Sequence, residues 1–438
     1  MVGSFHTGAL PMALDASLTR RIMDAVDARF DEQVDVTAEL VRIPSTRYRE
    51  APAQDFMARL YREAGLGVDR WQIRLDDIRH LPGFSPHAKE YEDAWNVVGT
   101  WRAPSAKGKS LILNGHIDVV PEGPHAMWKR PPFAAEVRDG WLFGRGSGDM
   151  KAGLVLNHYA LLALRSLGYQ PAADLFQQSV VEEECTGNGA LACLQRGYRA
   201  EAALIPEPST HTLTTAQVGV MWFQVQVSGH PVHVYQADAG SNAIESAYRL
   251  IQALRELEKD WNARKVDDAH FHGHHHPANF NVGKIQGGDW ASSVPSWCSF
   301  DMRAGVLPSM SLAQARRQVE ACVREAAARD PYLGNSPPTV VWEGFQAEPF
   351  VLKGHEAPRA VLDDAHRQVF GTPLQDMAST ATADNRFFGL YAGIPALVYG
   401  PKSKDIHGYD ECVELESVRR ITQTTALFIA EWCGLERA

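Results

Sequence analysis

The stretch Ser110-Leu-Ile-Leu-Asn-Gly-His-Ile-Asp-Val-Val-Pro121, SLILNGHIDVVP, runs from apolar to titratable within seven residues. Leu111, Ile112 and Leu113 form a short continuous apolar run, the pattern of a strand covered on both faces in a parallel sheet. The run ends in His116 and Asp118, two titratable groups where the chain leaves the core. A polar turn after a strand accounts for one such pair as well as a functional site does, so the surrounding chain has to decide.

Working outward, the neighbouring segments alternate between helix and strand. Apolar residues recur at helical spacing from Ala16 to Arg42, and Pro44 ends that helix. Strand-like runs follow at Trp95 to Thr100, Ser110 to Gly115, Leu175 to Val181 and Ala202 to Ile205. A helix from Lys151 to Leu167 lies among them, with Gly168 placed as its C-terminal cap. From about Ala357 the chain gives a helix, a strand within Ile394 to Pro401 and a last helix from Leu415 to Trp432. This alternation predicts an α/β domain with a mostly parallel sheet. The block between reads otherwise: strand Val220 to Val227, helix Asn242 to Trp261, strands Asn279 to Ile285 and Ser296 to Arg303, helix Leu312 to Ala328, strand Thr339 to Trp342. That order, β-α-β-β-α-β, predicts a ferredoxin-like α+β domain over 216–343, inserted into a domain made of 1–215 and 344–438. A chain of 438 residues is long for a single core, in keeping with that division.

Composition removes several classes of function. A formal net charge of -10 argues against a nucleic-acid partner, which requires a basic face. No apolar run reaches the length of a membrane span, so no membrane partner is expected. Met1 to Ala13 lacks a basic segment followed by a long apolar one, and no leader is read there. The six cysteines are dispersed without Cys-x-x-Cys spacing, which fits reduced thiols and a cytoplasmic location. The tract HFHGHHHP at His270 to Pro277 has the composition of a metal binder, but a solvated loop of the inserted domain is expected.

Four strand-like runs of the α/β block end in acids or histidine. They supply His116 and Asp118, then Glu182, Glu183 and Glu184, then Glu207, then His407. In an open parallel sheet the carboxyl ends of the strands line the ligand crevice, so these groups are candidates for one site. The glycine-rich GRGSGDMKAG (Gly144 to Gly153) delivers Asp149 just before a helix, without the spacing of a phosphate loop. So many carboxylates together raise one another's pKa unless a cation intervenes. One or two metal ions would remove the conflict.

With those residues in view, the chain resembles the co-catalytic zinc hydrolases that include acetylornithine deacetylase, succinyl-diaminopimelate desuccinylase, bacterial glutamate carboxypeptidase and aminoacylase-1. The motifs that carry the resemblance are VRIPST, GHIDVVP, GRGSGDMK, VEEE, PEPS, SGHPVH, DMR and IHGYDE, spread over nearly the whole chain. The resemblance implies a metal-bearing catalytic domain and a smaller lid domain through which two chains form a homodimer. It implies two divalent metal ions, with zinc expected and manganese or cobalt also compatible with so oxygen-rich a donor set. His116 and Glu207 would hold one ion, Glu184 and His407 the other, and Asp149 would bridge them. Asp118 would fix the tautomer of His116, and Glu183 would be the general base. A register shifted by one, with Glu182 as base and Glu183 as ligand, stays open, as does a plain acidic turn.

From the lid, His233 would reach the other subunit's site and stabilise the oxyanion, unless it is an ordinary strand-end histidine. Arg303 would anchor a substrate carboxylate, and a structural ion pair is the alternative. Asp384 matches the family's Thr/Ser-Asp element, and Arg386 would add a second anion contact. The chain departs from the family at GGDWASSVP, where Ser292 stands in place of an asparagine, with Trp290 close by. Trp222, Trp290 and Trp297 either make the pocket aromatic or belong to the lid core, and the core is the commoner place for tryptophan at strand spacing. The expected activity is metal-dependent hydrolysis of a C-N bond, deacylating an N-acyl amino acid or related small carboxylate. A dipeptidase or carboxypeptidase, hydrolytic release of an amine from an aromatic acid, and a non-catalytic binding homologue are the alternatives.

Overall fold

Every residue of strands Leu111–His116, Leu175–Val180 and Ala202–Ile205 is buried, as expected where a sheet is covered on both faces. The computed structural model describes residues 14–87, 90–104 and 107–438; the expectation about a leader concerns 1–13, outside them. The four central strands, Leu175–Val180, Leu111–His116, Ala202–Ile205 and Ala396–Val398, lie side by side in that order and run parallel. The sheet is mixed beyond them. Trp95–Trp101 and then Gly67–Gln72 extend one edge antiparallel. On the other side Leu213–Gln217 runs antiparallel to Ala396–Val398, and carries Phe350–Val351 antiparallel and Asp376–Ser379 parallel.

Helices Ala152–Ser166 and Leu415–Trp432 pack on each other and are buried along most of their length; the first reads as apolar nearly all round, while the second keeps Glu416, Arg419 and Arg420 on an outer side. The first comes close to the sheet beside His116: a Cβ on Gly115 would lie 2.9 Å from Leu154 Cδ2, so a larger residue there would have to displace the Leu154 side chain. The predicted helix from Ala16 to Arg42 is two helices, Ala16–Asp27 and Phe30–Val41. The break is made at Arg29, with φ -115° and ψ 9°, and no glycine or proline marks it.

A second hydrophobic core, separate from the first, draws on residues from Ala216 to Ala347. Its four-stranded antiparallel sheet has the order Phe280–Gly287, Trp297–Val306, Gly219–Ser228, Thr339–Ala347. Helices Ala243–Ala263 and Leu312–Ala328 pack together against it, giving the β-α-β-β-α-β order. The last strand runs on to Ala347, past the boundary at 343 read from its first four residues. In the histidine tract His270, His272 and His275 are exposed, as expected of a solvated loop, while Phe271 is wholly buried and His276 Nε2 lies 2.8 Å from Glu258 Oε1. Among the described residues no helix is long and apolar enough to cross a membrane.

Candidate metal centre

The carboxyl ends of the parallel strands bring the acids and histidines together. His116 is the last residue of its strand and its ring is fully enclosed. Its Nδ1 lies 2.8 Å from the backbone carbonyl of Asp118 and donates to it, which turns Nε2 toward the acids. Nε2 faces Asp149 Oδ1 at 3.0 Å, Glu207 Oε1 at 3.7 Å and Glu183 Oε2 at 3.9 Å. His407, in the turn between strands Ser403–Lys404 and Cys412–Glu414, directs Nε2 to Glu184 Oε2 at 3.1 Å and Asp149 Oδ2 at 3.5 Å. Asp149 therefore turns one carboxylate oxygen to each histidine.

Asp118 departs from the expected contact. Its carboxylate lies 3.7 Å from His116 Nδ1 and instead accepts the backbone N–H groups of Glu183 (3.3 Å) and Glu184 (3.1 Å). Those two donors sit in a turn beyond the strand, where no ladder satisfies them, and they draw the carboxylate away from the ring. The tautomer of His116 is set by the Asp118 main chain, not by its side chain.

The acidic triplet separates by environment. Glu182 is turned out of the cluster by a left-handed backbone (φ 70°) and is paired with Arg47 at 2.6 Å. Glu183 and Glu184 remain at the cluster. Sequence reasoning passed over Arg145 and Glu411, although both stand inside quoted motifs. Glu411 Oε2 accepts from Arg145 Nη1 (2.6 Å) and Gly146 N–H (3.1 Å), while Oε1 accepts from the N–H groups of Gly148 (3.0 Å) and Asp149 (3.1 Å). Arg145 Nη2 also donates to Gly408 O at 3.0 Å. This buried pair ties the loop bearing Asp149 to the loop bearing His407.

The electrostatics are those of an acid cluster awaiting cations. Burial lifts Glu207 to about 7, against the pull of His116, and lifts Glu183 well above the carboxylate range. Burial opposes charge on His116, but Glu207 and Asp149 override it and raise its pKa. His407, likewise opposed by burial, is carried to about 11 by hydrogen bonds with Asp149 and Glu184. A divalent ion among these groups would keep the acids ionised and displace the imidazole protons.

The model of peptidase family M20/M25/M40 matches residues 112–431, most of the chain. This chain belongs to that family. It is 30% identical to the N-formyl-4-amino-5-aminomethyl-2-methylpyrimidine deformylase of Halalkalibacterium halodurans, over 96% of this chain and 99% of the relative. It is 26% identical to the succinyl-diaminopimelate desuccinylase of Bradyrhizobium sp. strain ORS 278, over 89% of this chain and 96% of that one. Among solved structures, the dipeptidase Dug1p of Saccharomyces cerevisiae superposes with a TM-score of 0.76 at 14% identity, covering 95% of this chain and 98% of its own; that likeness speaks to the fold. The M20 chain is accordingly a hydrolase of amide-type C-N bonds, and membership implies divalent metal ions.

The donor set fits that implication. His116, Asp149 and Glu184 offer ligand atoms all within 4.8 Å of one another, and so do His116, Glu183 and Glu207. The second group includes Glu183, so proximity alone does not separate it from the ligands. Of the other expected site residues, Asp384 is buried with neither carboxylate oxygen hydrogen-bonded, and its pKa is lifted to about 6 by burial. Arg386 is enclosed and donates to Ala383 O (2.9 Å) and Thr186 O (3.2 Å). Arg303 donates to Asn279 O (3.3 Å) and, across to the other core, to Thr380 O (2.9 Å). His233 is exposed, its Nδ1 accepting from Tyr235 N–H, and no described contact joins it to the cluster of its own chain. Trp222 packs edge-on against Phe345, whereas Trp290 is 73% exposed, so the tryptophans divide between core and surface.

Proposed function

We propose that this M20 hydrolase cleaves the amide bond of a small N-acyl amine with two divalent ions, zinc by preference, held by His116, Asp149 and Glu207 on one side and Asp149, Glu184 and His407 on the other. The observation that carries the reading is the division of Asp149, with Oδ1 toward His116 and Oδ2 toward His407. When bound, such ions polarise the scissile carbonyl and acidify the attacking water. Glu183 is then the general base. Its carboxylate takes a proton from the water and returns it to the leaving nitrogen, for which its place beside the ligand atoms suits it, with Oε2 3.9 Å from His116 Nε2. His233, exposed in one chain, serves the site of the other chain in a homodimer as oxyanion donor.

For the substrate, two readings compete. An N-acyl amino acid would use Arg303 as its carboxylate anchor. The engagement of Arg303 by two backbone carbonyls, and the identity to the pyrimidine deformylase along its full length, favour an N-formyl or other short acyl group on a heteroaromatic amine. Turnover of N-formyl aminomethylpyrimidines, N-succinyl and N-acetyl amino acids and dipeptides with zinc or manganese restored separates them. Glu183→Gln is expected to keep both ions and lose about 10²–10⁴-fold in turnover, Glu184→Gln to weaken one ion. The exchange of these two phenotypes would overturn the assignment.

A further inference from the structure

Glu182 is the one member of the acidic triplet that the chemistry does not use, yet it has the most elaborate surroundings. Its side chain is 1% exposed, and its carboxylate accepts from Arg47 Nε (2.6 Å), Arg47 Nη2 (2.7 Å), the Tyr91 hydroxyl (2.8 Å) and the Thr186 hydroxyl (2.9 Å). Three of these donors converge on Oε2 and one on Oε1, which leaves the carboxylate little freedom to turn. Its backbone stands at φ 70°, where glycine is the easy choice, so the carboxyl group is kept at a conformational cost. Its main-chain carbonyl accepts from Thr186 N–H (2.9 Å) and Gly187 N–H (2.6 Å), closing the turn behind it.

Arg47 is itself fixed to the neighbouring strand end. Ser45 Oγ donates to Ile117 O at 2.6 Å, and Val119 N–H donates to Ser45 O at 3.0 Å. The Arg47–Glu182 pair therefore joins the strand end that carries His116 and Asp118 to the turn that carries Glu183 and Glu184. On the inner side the same turn is held by the Asp118 carboxylate. Clamped from both sides, the chain can send Glu182 outward only if the next two acids face the cluster.

We propose that Glu182, gripped by Arg47, is a positioning residue that sets the register of the acidic triplet: it aims Glu183 at the reacting atoms and Glu184 at its metal ion. The first half of this rests on the reading of Glu183 as base; the second half does not. Arg47→Met, Glu182→Gln and the double variant are compared with the parent in two assays. Steady-state hydrolysis of the substrate found in the screen separates kcat from KM. Zinc affinity of the metal-free protein is measured against a competing chelator. Each single substitution is expected to lower kcat by about 10²-fold with KM nearly unchanged, the effect of misplacing a catalytic group by about 1 Å. Each should also weaken one of two zinc ions by about 10-fold. The double variant should be no worse than either single one, because the clamp acts as a unit. Arg47→Lys, which keeps the charge and loses the bidentate fork, should fall between and decides the matter if Glu182→Gln does not fold. Variants that lose thermal stability but keep kcat and both zinc affinities, or single effects that simply add, overturn the proposal. If Glu183→Gln proves fully active, the base reading fails while the zinc arm still tests the clamp.

Discussion

Replacing Glu411 by glutamine tests whether the buried Arg145–Glu411 pair organises the metal loops. Both side chains are at most 2% exposed, so the substitution leaves the guanidinium of Arg145 without a counter-charge away from water. Breaking one side of such a pair costs about 3–5 kcal/mol. The amide also turns a donor toward N–H groups now satisfied by Glu411, those of Gly146 on one oxygen and of Gly148 and Asp149 on the other. An orphaned buried donor is worth roughly 1–3 kcal/mol, overlapping rather than adding to the first figure. Urea unfolding of metal-free Glu411→Gln should therefore show a loss of about 3–5 kcal/mol, and zinc titration a weaker site, since Asp149 and the Gly408 backbone both hang on this pair. The double variant Arg145→Met with Glu411→Leu separates the charge from the backbone contacts. An apolar pair of similar volume removes the unpaired charge but leaves three backbone N–H groups without an acceptor, at roughly 1–3 kcal/mol each, so it should be no more stable than Glu411→Gln and zinc affinity should stay low. A Glu411→Gln protein within about 1 kcal/mol of the parent, or a double variant with full zinc affinity, would refute the reasoning.

Asp118→Asn should leave the Nδ1–H tautomer of His116 unchanged in the zinc-loaded protein, because the backbone carbonyl of residue 118 rather than its side chain takes Nδ1; long-range proton–nitrogen spectra of the imidazole read this directly. Glu50 is buried and its pKa is raised to about 8, by burial first and by Asp118 second. Its folded pKa exceeds the unfolded one, so below about 8 the folded state holds a proton that the unfolded state has released, and stability falls as pH rises from about 5 to 8. Glu50→Gln removes that dependence: its stability advantage over the parent should grow by roughly 1.4 kcal/mol per pH unit in that window, and a constant difference across pH would contradict it. Chelation should abolish hydrolysis while near-ultraviolet circular dichroism is retained, since both cores are built from apolar packing; unfolding on chelation would be the contrary result.

What the sequence made legible follows from where side-chain pattern and backbone agree. Strand Ala202–Ile205 and helix Leu312–Ala328 occur at the residues expected, because apolar content and flanking caps mark both ends. Strand Gly67–Gln72 escaped notice: GVDRWQ at a sheet edge has neither alternation nor a continuous apolar run. Helix Ala51–Glu63 was also missed, although Pro52 in its first turn was an available signal. At the centre, residue types at strand ends pointed to the cluster, but partners distant in sequence could not be read. Arg47 and Glu182 are 135 positions apart, and Arg145 and Glu411 are 266 apart. Nor could residue types say that a main-chain carbonyl would take the proton of His116.

The way the inserted unit is joined to the large sheet has a consequence for the ancestry of the chain. The strand before the insertion, Leu213–Gln217, and the one after it, Phe350–Val351, are antiparallel neighbours, with Gln217 opposite Phe350. The two ends are thus already one strand spacing apart, about 4.8 Å, a gap that a tight hairpin turn spans. A shorter chain lacking 218–349 would keep the large sheet's strand order unbroken. The lid has the topology of a cassette, gained or exchanged at a single turn without redrawing the sheet that holds the acids.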